Sequence, residues 1–247
     1  MRNIKLTIEY EGKDYNGWQK QPNHLNIQGE IERAIQNVTG QEVELIGSGR
    51  TDSGVHAFGQ VANFKIDSDF PIEKMATAIN SQLKKTIRIL KAEEVPLDFH
   101  SRYHCHQKTY GYFIDNSEQG TAIYRNITYH ISQPLNVEAM QKSVNYLVGE
   151  HDFSSFKSSG TSSKSSVRTI YSAQVVKEQE RVVIVLTGNG FLYNMVRIIS
   201  GTLVEVGLGN IKPEQVKNIL EAKDRQQAGK TLPAQGLFLM NVEYEDK

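Results

Sequence analysis

Cysteine is almost absent from this chain: Cys105 is the single one in 247 residues, so no intramolecular disulfide can form and a cysteine-rich metal site is excluded. Net charge is absent too. Lysine plus arginine number 28, and so do aspartate plus glutamate, which removes the overall basic signature of a nucleic-acid binder and leaves only local fields. Long apolar runs are also missing, since no segment approaches the roughly 20 apolar residues of a membrane span. The opening Met1–Tyr10 alternates polar and apolar like a strand, without the continuous apolar stretch of a signal peptide. These absences predict a cytoplasmic protein with no membrane partner, long enough to fold as two modest domains without covalent staples.

What the chain does have is a polar loop punctuated by glycine, Gly47-Ser48-Gly49-Arg50-Thr51-Asp52-Ser53-Gly54-Val55-His56. The glycines let the backbone turn sharply and let another molecule approach closely. Arg50 is a fixed cation with a planar fork suited to a carboxylate or a phosphate. An opposite charge at contact distance typically lowers an aspartate pKa by about 1 to 3 units, so Asp52 is expected to be an ionised nucleophile or base. The competing reading is an ordinary turn with a surface ion pair, because Gly, Ser, Thr and Asp are turn residues.

Periodicity predicts strands at Ile4–Tyr10, Glu42–Ile46, Val61–Ile66 and Ile87–Val95. It also predicts helices carrying Ile27, Ile31, Ala34, Ile35 and Val38, closed by Gly40, and Ile72, Met75, Ile79 and Leu83. Strand, helix, strand, strand, helix, strand is the ferredoxin-like order. The second half repeats the theme. Lys108–Ile114 reads as a strand, Val137–Val148 as a helix, and Arg168–Lys177 with Arg181–Thr187 as a hairpin. Helices over Phe191–Val206 and Pro213–Ala222 and a strand over Leu237–Tyr244 complete it. The expected fold is α+β, with halves 1–100 (bearing the Asp52 loop) and 101–247. If their antiparallel sheets join edge to edge, the cleft between the halves is where a ligand would bind.

Bases fall near the polar loops: Arg50, Arg102, Lys108, Lys157, Lys164, Arg168 and Arg197. Eight serines between Ser154 and Ser166, with Lys157 and Lys164 among them, make either a passive linker or a loop that grips phosphates. Tyr110 stands where an aromatic can stack on a splayed base, or simply packs in a strand with Tyr112. Trp18 is by default a core residue, yet its polar, glycine-containing neighbours suggest a partly exposed loop. His104, Cys105 and His106 alternate on an extended segment and point to opposite faces, so no metal site is expected there. An apolar helix carrying Arg197 needs an acidic partner for it, and Asp52 is one candidate. An aspartic peptidase would need a second Asp-Ser-Gly copy and no neighbouring guanidinium. A haloacid-dehalogenase-like phosphatase would need an aspartate where Gly54 stands. A non-catalytic RNA-binding module leaves Arg50 beside Asp52 without a purpose.

Taken in order, the blocks identify a resemblance. Gly49-Arg50-Thr51-Asp52-Ser53-Gly54-Val55-His56-Ala57 resembles the signature of the tRNA pseudouridine synthase A family. The opening Tyr10-Glu11-Gly12 with Tyr15, Gly17, Trp18 and Gln19 is similar to that family's first segment. So are Asp98–Arg102, Lys108-Thr109-Tyr110, Gly149–Phe156, Phe191 with Met195-Val196-Arg197, and Pro233–Leu237 to its later blocks. The resemblance implies two ferredoxin-like halves forming a central antiparallel sheet, with helices packed on one side and a cleft between halves. It implies a homodimer acting on tRNA, and isomerisation of uridine to pseudouridine at positions 38, 39 and 40 of the anticodon stem-loop, with no metal or redox cofactor. Asp52 matches the catalytic aspartate and Tyr110 the tyrosine that stacks on the target base. Arg50 is expected to engage the phosphate backbone or displace the target nucleotide, and Arg197 to pair with the aspartate. Where many members carry Arg-Tyr-Arg-Tyr, this chain has Thr109-Tyr110-Gly111-Tyr112, with Lys108 as the remaining cation.

Overall fold

The computed structural model describes residues 1–160 and 165–245. They form two compact units: Met1–His106 with residues 239–245, and Gln107–Phe238. Lys164 lies outside the described residues. Ten strands and five α-helices are found among those described, in the α+β class read from the sequence.

The first unit runs β1 (Arg2–Tyr10), α1 (Ile27–Thr39), β2 (Ile46–Gly47), β3 (His56–Ile66), α2 (Ile72–Gln82) and β4 (Ile87–Val95). β1 lies between β3 and β4, antiparallel to both, and β2 pairs β3, which gives the ferredoxin-like order 4-1-3-2. Alternate residues of β1 turn inward, so Ile4, Leu6 and Ile8 are fully buried, with Leu6 opposite Ala62 and Ile4 opposite Phe64. α1 begins where Asn26 accepts a bond from the Gly29 N–H and ends where Gly40 takes the left-handed conformation (φ 74°). Its apolar stripe, Ile27, Ile31, Ala34 and Ile35, is buried, as are Met75 and Ile79 of α2. The amide of Asn80 exchanges both of its bonds with the Ile89 backbone and so ties α2 to β4.

Two expectations fail here for visible reasons. The strand expected at Glu42–Ile46 shrinks to Ile46–Gly47, because the Leu45 N–H donates to the Glu32 carboxylate and the Leu45 carbonyl accepts from Gln28. Helix side chains have taken the bonds a neighbouring strand would make. β3 in turn starts five residues earlier than Val61, since β1 is long enough to pair Tyr10 with Ala57 and Ile8 with Gln60.

The second unit holds most of β5 (Cys105–Asp115), then β6 (Tyr129–His130), α3 (Val137–Val144), β7 (Gly149–Asp152), β8 (Val167–Glu178), β9 (Arg181–Gly188), α4 (Met195–Gly207) and α5 (Gln215–Ala222). β10 (Leu237–Tyr244) begins in this unit and continues in the first. The antiparallel order β5-β9-β8-β7 is flanked by the short β6, parallel to β5. Tyr112 opposite Ile184 and Ile114 opposite Val182 are buried in full. β8 and β9 form the expected hairpin, turning at Gln179 with positive φ (54°).

α4 is buried nearly all round. Segment 229–232 lies flush on it, for a Cβ at Gly201 would stand 1.9 Å from the Lys230 carbonyl oxygen. The helix starts at Met195 and not at Phe191, because Asn194 is left-handed (φ 61°) and the Leu192–Met195 turn precedes it. The helix expected at Val137–Val148 ends at Val144, its last turn tightening to a 3₁₀ turn over Asn145–Leu147.

Candidate active site

In the first unit the Asp52 loop is bracketed by the segment after β1. Trp18 donates its backbone N–H to the Thr51 carbonyl at 3.0 Å, and the Tyr10 hydroxyl meets Thr51 Oγ1 at 2.8 Å. The bracket needs its glycines: Gly17 is at φ 81°, and a Cβ there would stand 2.6 Å from the Thr51 carbonyl oxygen and 3.1 Å from the Asp52 carbonyl carbon. Ser53 Oγ donates to the Tyr15 carbonyl at 3.1 Å. The turn itself closes with the Val55 N–H on the Asp52 carbonyl, and Gly54 at φ 80° supplies the positive angle that the third residue of a type II turn requires. On the other side, the Gly12 N–H donates to His56 Nδ1 at 3.1 Å.

The base of the loop is held through Gln60. Its Oε1 accepts from Ser48 Oγ (2.6 Å) and its Nε2 donates to the Gly49 carbonyl (3.0 Å). Between these anchors the Asp52 side chain is half-buried, Thr51 is buried and Arg50 is exposed. The backbone on both sides of the carboxylate is therefore fixed by bonds that do not use the carboxylate. Burial pushes the Tyr10 hydroxyl above its ordinary range, against the opposing bonds to Thr51 and Gln60, so it stays a neutral partner. Trp18 is 2 % exposed, against the partly exposed loop its neighbours suggest: its indole lies against Gly47, whose absent Cβ would come within 2.6 Å of it.

In the second unit Tyr110 lies on β5 opposite Leu186, largely buried, with its ring meeting Phe191 edge-on at 5.1 Å. Phe191 in turn lies 3.5 Å from where a Gly188 Cβ would stand. Arg197, one turn into α4, donates from Nε to the Leu232 carbonyl (2.7 Å) and from a terminal nitrogen to Asn194 Oδ1 (2.7 Å). Arg168 runs beside Gly190 and donates to the Ser165 and Val167 carbonyls, with burial drawing its basicity down. Lys157 donates to Ser166 Oγ at 3.1 Å, closing the base of the serine-rich stretch. Lys108 is half-buried at the Gly188 end of the ladder. Tyr110, Phe191, Arg168 and Arg197 thus gather around the passage from β9 into α4. In the first unit Arg102 is exposed on the turn after Phe99.

Sequence reading missed the two residues that organise these groups, Thr51 and Asn194. Thr51 looks like a turn filler beside Arg50, and nothing in the sequence says that Tyr10 and Trp18 reach it. Asn194 does carry a signal, an asparagine directly before an apolar helix. Elsewhere, a groove of about 540 Å³ at the start of α1, lined by residues including Lys20, His24, Glu30, Arg33 and Glu42, mixes both signs of charge and shares no residue with the Asp52 loop.

Comparison with known proteins gives this geometry a setting. The profile of a family described as tRNA pseudouridine synthase matches residues 6–104 and 144–245. The chain is 53% identical over 244 residues to a protein called tRNA pseudouridine synthase A from Caldicellulosiruptor saccharolyticus, covering 99% of this chain and 100% of that one. It is 50% identical, with the same coverage, to proteins of that name from Acetivibrio thermocellus and Clostridium acetobutylicum.

Proposed function

This chain belongs to the tRNA pseudouridine synthase family, and on that premise we propose that it isomerises uridine to pseudouridine at positions 38, 39 and 40 of the tRNA anticodon stem-loop, with Asp52 as nucleophile or base. It is an RNA-modifying isomerase. The reaction breaks the bond from ribose C1′ to uracil N1 and makes one from C1′ to C5. The C5 proton is lost and N1 gains one, so the product is an isomer and nothing is oxidised or reduced. Such chemistry asks for a carboxylate near the ribose and a hold on the base while it turns.

The observation that carries the reading is the Asp52 loop: a half-buried carboxylate whose flanking backbone is pinned by Trp18 and the Gly54 turn, with the neighbouring Thr51 hydroxyl held by Tyr10. Preorganisation of this kind lets a carboxylate meet a developing charge without first rearranging. A uridine in a stem or loop must leave its stack, at a cost of a few kcal/mol, and Tyr110 is assigned the role of stacking on it. Arg50, exposed beside Asp52, is assigned to the phosphate backbone or to displacing the nucleotide. Arg197 is assigned to pair with the carboxylate, and Arg102, Lys108, Lys157, Lys164 and Arg168 to the tRNA backbone.

The test is incubation with unmodified tRNA followed by carbodiimide mapping of positions 38 to 40. Wild type is expected to give product and Asp52→Asn none; no product from wild type, or full product from the variant, overturns the reading. Substrate deuterated at ribose C2′ separates the two roles. A primary isotope effect assigns Asp52 as the base that takes the 2′ proton, and its absence assigns attack on C1′. We place the enzyme in the cytoplasm with its tRNA. No helix among the described residues is long and apolar enough to cross a membrane. A homodimer is also proposed, and sedimentation at twice the 27.9 kDa chain mass is its check.

A further inference from the structure

Asn194 occupies the cap position of α4, where an asparagine ordinarily turns its side chain back to accept from a helix N–H. It makes no such bond. Its backbone is instead left-handed (φ 61°), a conformation that asparagine accepts more readily than other side chains do, and its amide faces two other partners. Oδ1 accepts from the Arg197 guanidinium at 2.7 Å, and Nδ2 donates to Ser158 Oγ at 3.0 Å. Ser158 is itself tied to the same turn, its N–H donating to the Tyr193 carbonyl at 3.2 Å. The opposite edge of the guanidinium is held by the Leu232 carbonyl, and the Leu232 N–H returns a bond to the Arg197 carbonyl. Arg197 is thus gripped at two points by neutral acceptors. Such a grip fixes the plane of the guanidinium without neutralising its charge.

We propose that Asn194 is a positioning residue for the isomerisation, holding the Arg197 guanidinium in its working orientation, with Ser158 as the anchor that keeps the Asn194 amide turned correctly. This rests on the role assigned to Arg197 above. The missing capping bond then has a purpose, for the side chain is spent on the arginine and not on the helix. It also gives Ser158, which composition alone would place in a linker, a defined duty.

The experiment compares Asn194→Gly, Asn194→Asp, Ser158→Ala and the pair Asn194→Gly with Ser158→Ala in the full-length protein. It reads single-turnover rate on saturating tRNA, tRNA Kd, and Tm. Glycine accepts the left-handed backbone, so Asn194→Gly is expected to keep its fold while its rate drops by about ten- to a hundredfold, the scale of misplacing one group near a reacting centre. Its Kd stays within a few-fold of wild type. Asn194→Asp preserves the shape and the bond to Arg197 but offsets the charge, and is expected to lose at least as much rate. Ser158→Ala loses less, and adds nothing once Asn194 is glycine. A wild-type rate in Asn194→Gly or Asn194→Asp, a loss confined to Kd, or losses that multiply in the pair overturns the proposal. Should Asn194→Gly fold poorly, the isosteric Asn194→Asp carries the test. Arg197→Lys separates the two layers: full activity there removes the role of Arg197 itself, whereas activity lost in Arg197→Lys but kept in Asn194→Gly removes that of Asn194 alone.

Discussion

Where a carboxylate can stand is decided here by residues with no functional group. Gly17 sits against the carbonyl oxygen of Thr51 and the backbone of Asp52, at a φ that side chains rarely adopt. Gly17→Ala is expected to cost about 1–3 kcal/mol of stability from the backbone alone. It should also displace the Thr51–Asp52 peptide, so turnover should fall more than tRNA affinity; urea unfolding and single-turnover kinetics are the measurements. Asp52 stands out in the sequence as a candidate, because an acid beside an arginine among glycines is a local pattern. Its supports were not. Tyr10 lies 41 residues before Thr51, and a hydrogen bond over that separation leaves no trace in composition or periodicity.

Among the elements, those legible from periodicity are the ones that bury one face, such as α1 between Asn26 and Gly40, or β4 at Ile87–Val95. Some of the misread ones are lost where a polar side chain takes over backbone bonds. Glu32, only 7 % exposed, is the clearest case: it accepts from the Leu45 N–H (3.0 Å), the Gln28 amide (2.9 Å) and the Lys20 ammonium (2.8 Å), and so replaces a strand with a bracket. Glu32→Ala leaves those donors without a partner and is expected to destabilise the protein by about 1–3 kcal/mol, read as a lower urea midpoint. At the end of β7, Asp152 accepts from Ser154 and pairs with Lys223 at 3.3 Å. The Ser154 hydroxyl above all, with Lys223 helping, holds this carboxyl below its ordinary value of 3.8. A depressed carboxyl stabilises the fold above its unfolded pKa and loses that contribution as pH falls through the folded one. The stability gap between wild type and Asp152→Asn should therefore be present at neutral pH and close in acid below 3.8; a gap that persists there contradicts it.

For the molecule as a whole, a net charge of zero means that tRNA cannot be drawn in by bulk attraction, and each local cation counts for more. Replacing Lys157 and Lys108 together by alanine should weaken tRNA binding and flatten its dependence on log salt by about one unit for each phosphate contact removed. An unchanged slope would show that these lysines do not touch phosphate. An expectation of two halves, 1–100 and 101–247, was readable from the repeated order of elements. That the first unit recruits the end of the chain was not, since a strand at Leu237–Tyr244 carries no address. There Tyr244 donates its hydroxyl to the Ser101 carbonyl and packs its ring on Phe99, while Gly59 leaves room for the Met240 carbonyl. For a ribosome this reverses the usual timetable. The unit that carries Asp52 is translated first yet cannot be completed until residues 239–245 have emerged, so a nascent chain stalled short of them would leave one side of β3 unsealed. Such a fragment is expected to be a preferred client of chaperones and proteases until β10 has been made and has paired with β3.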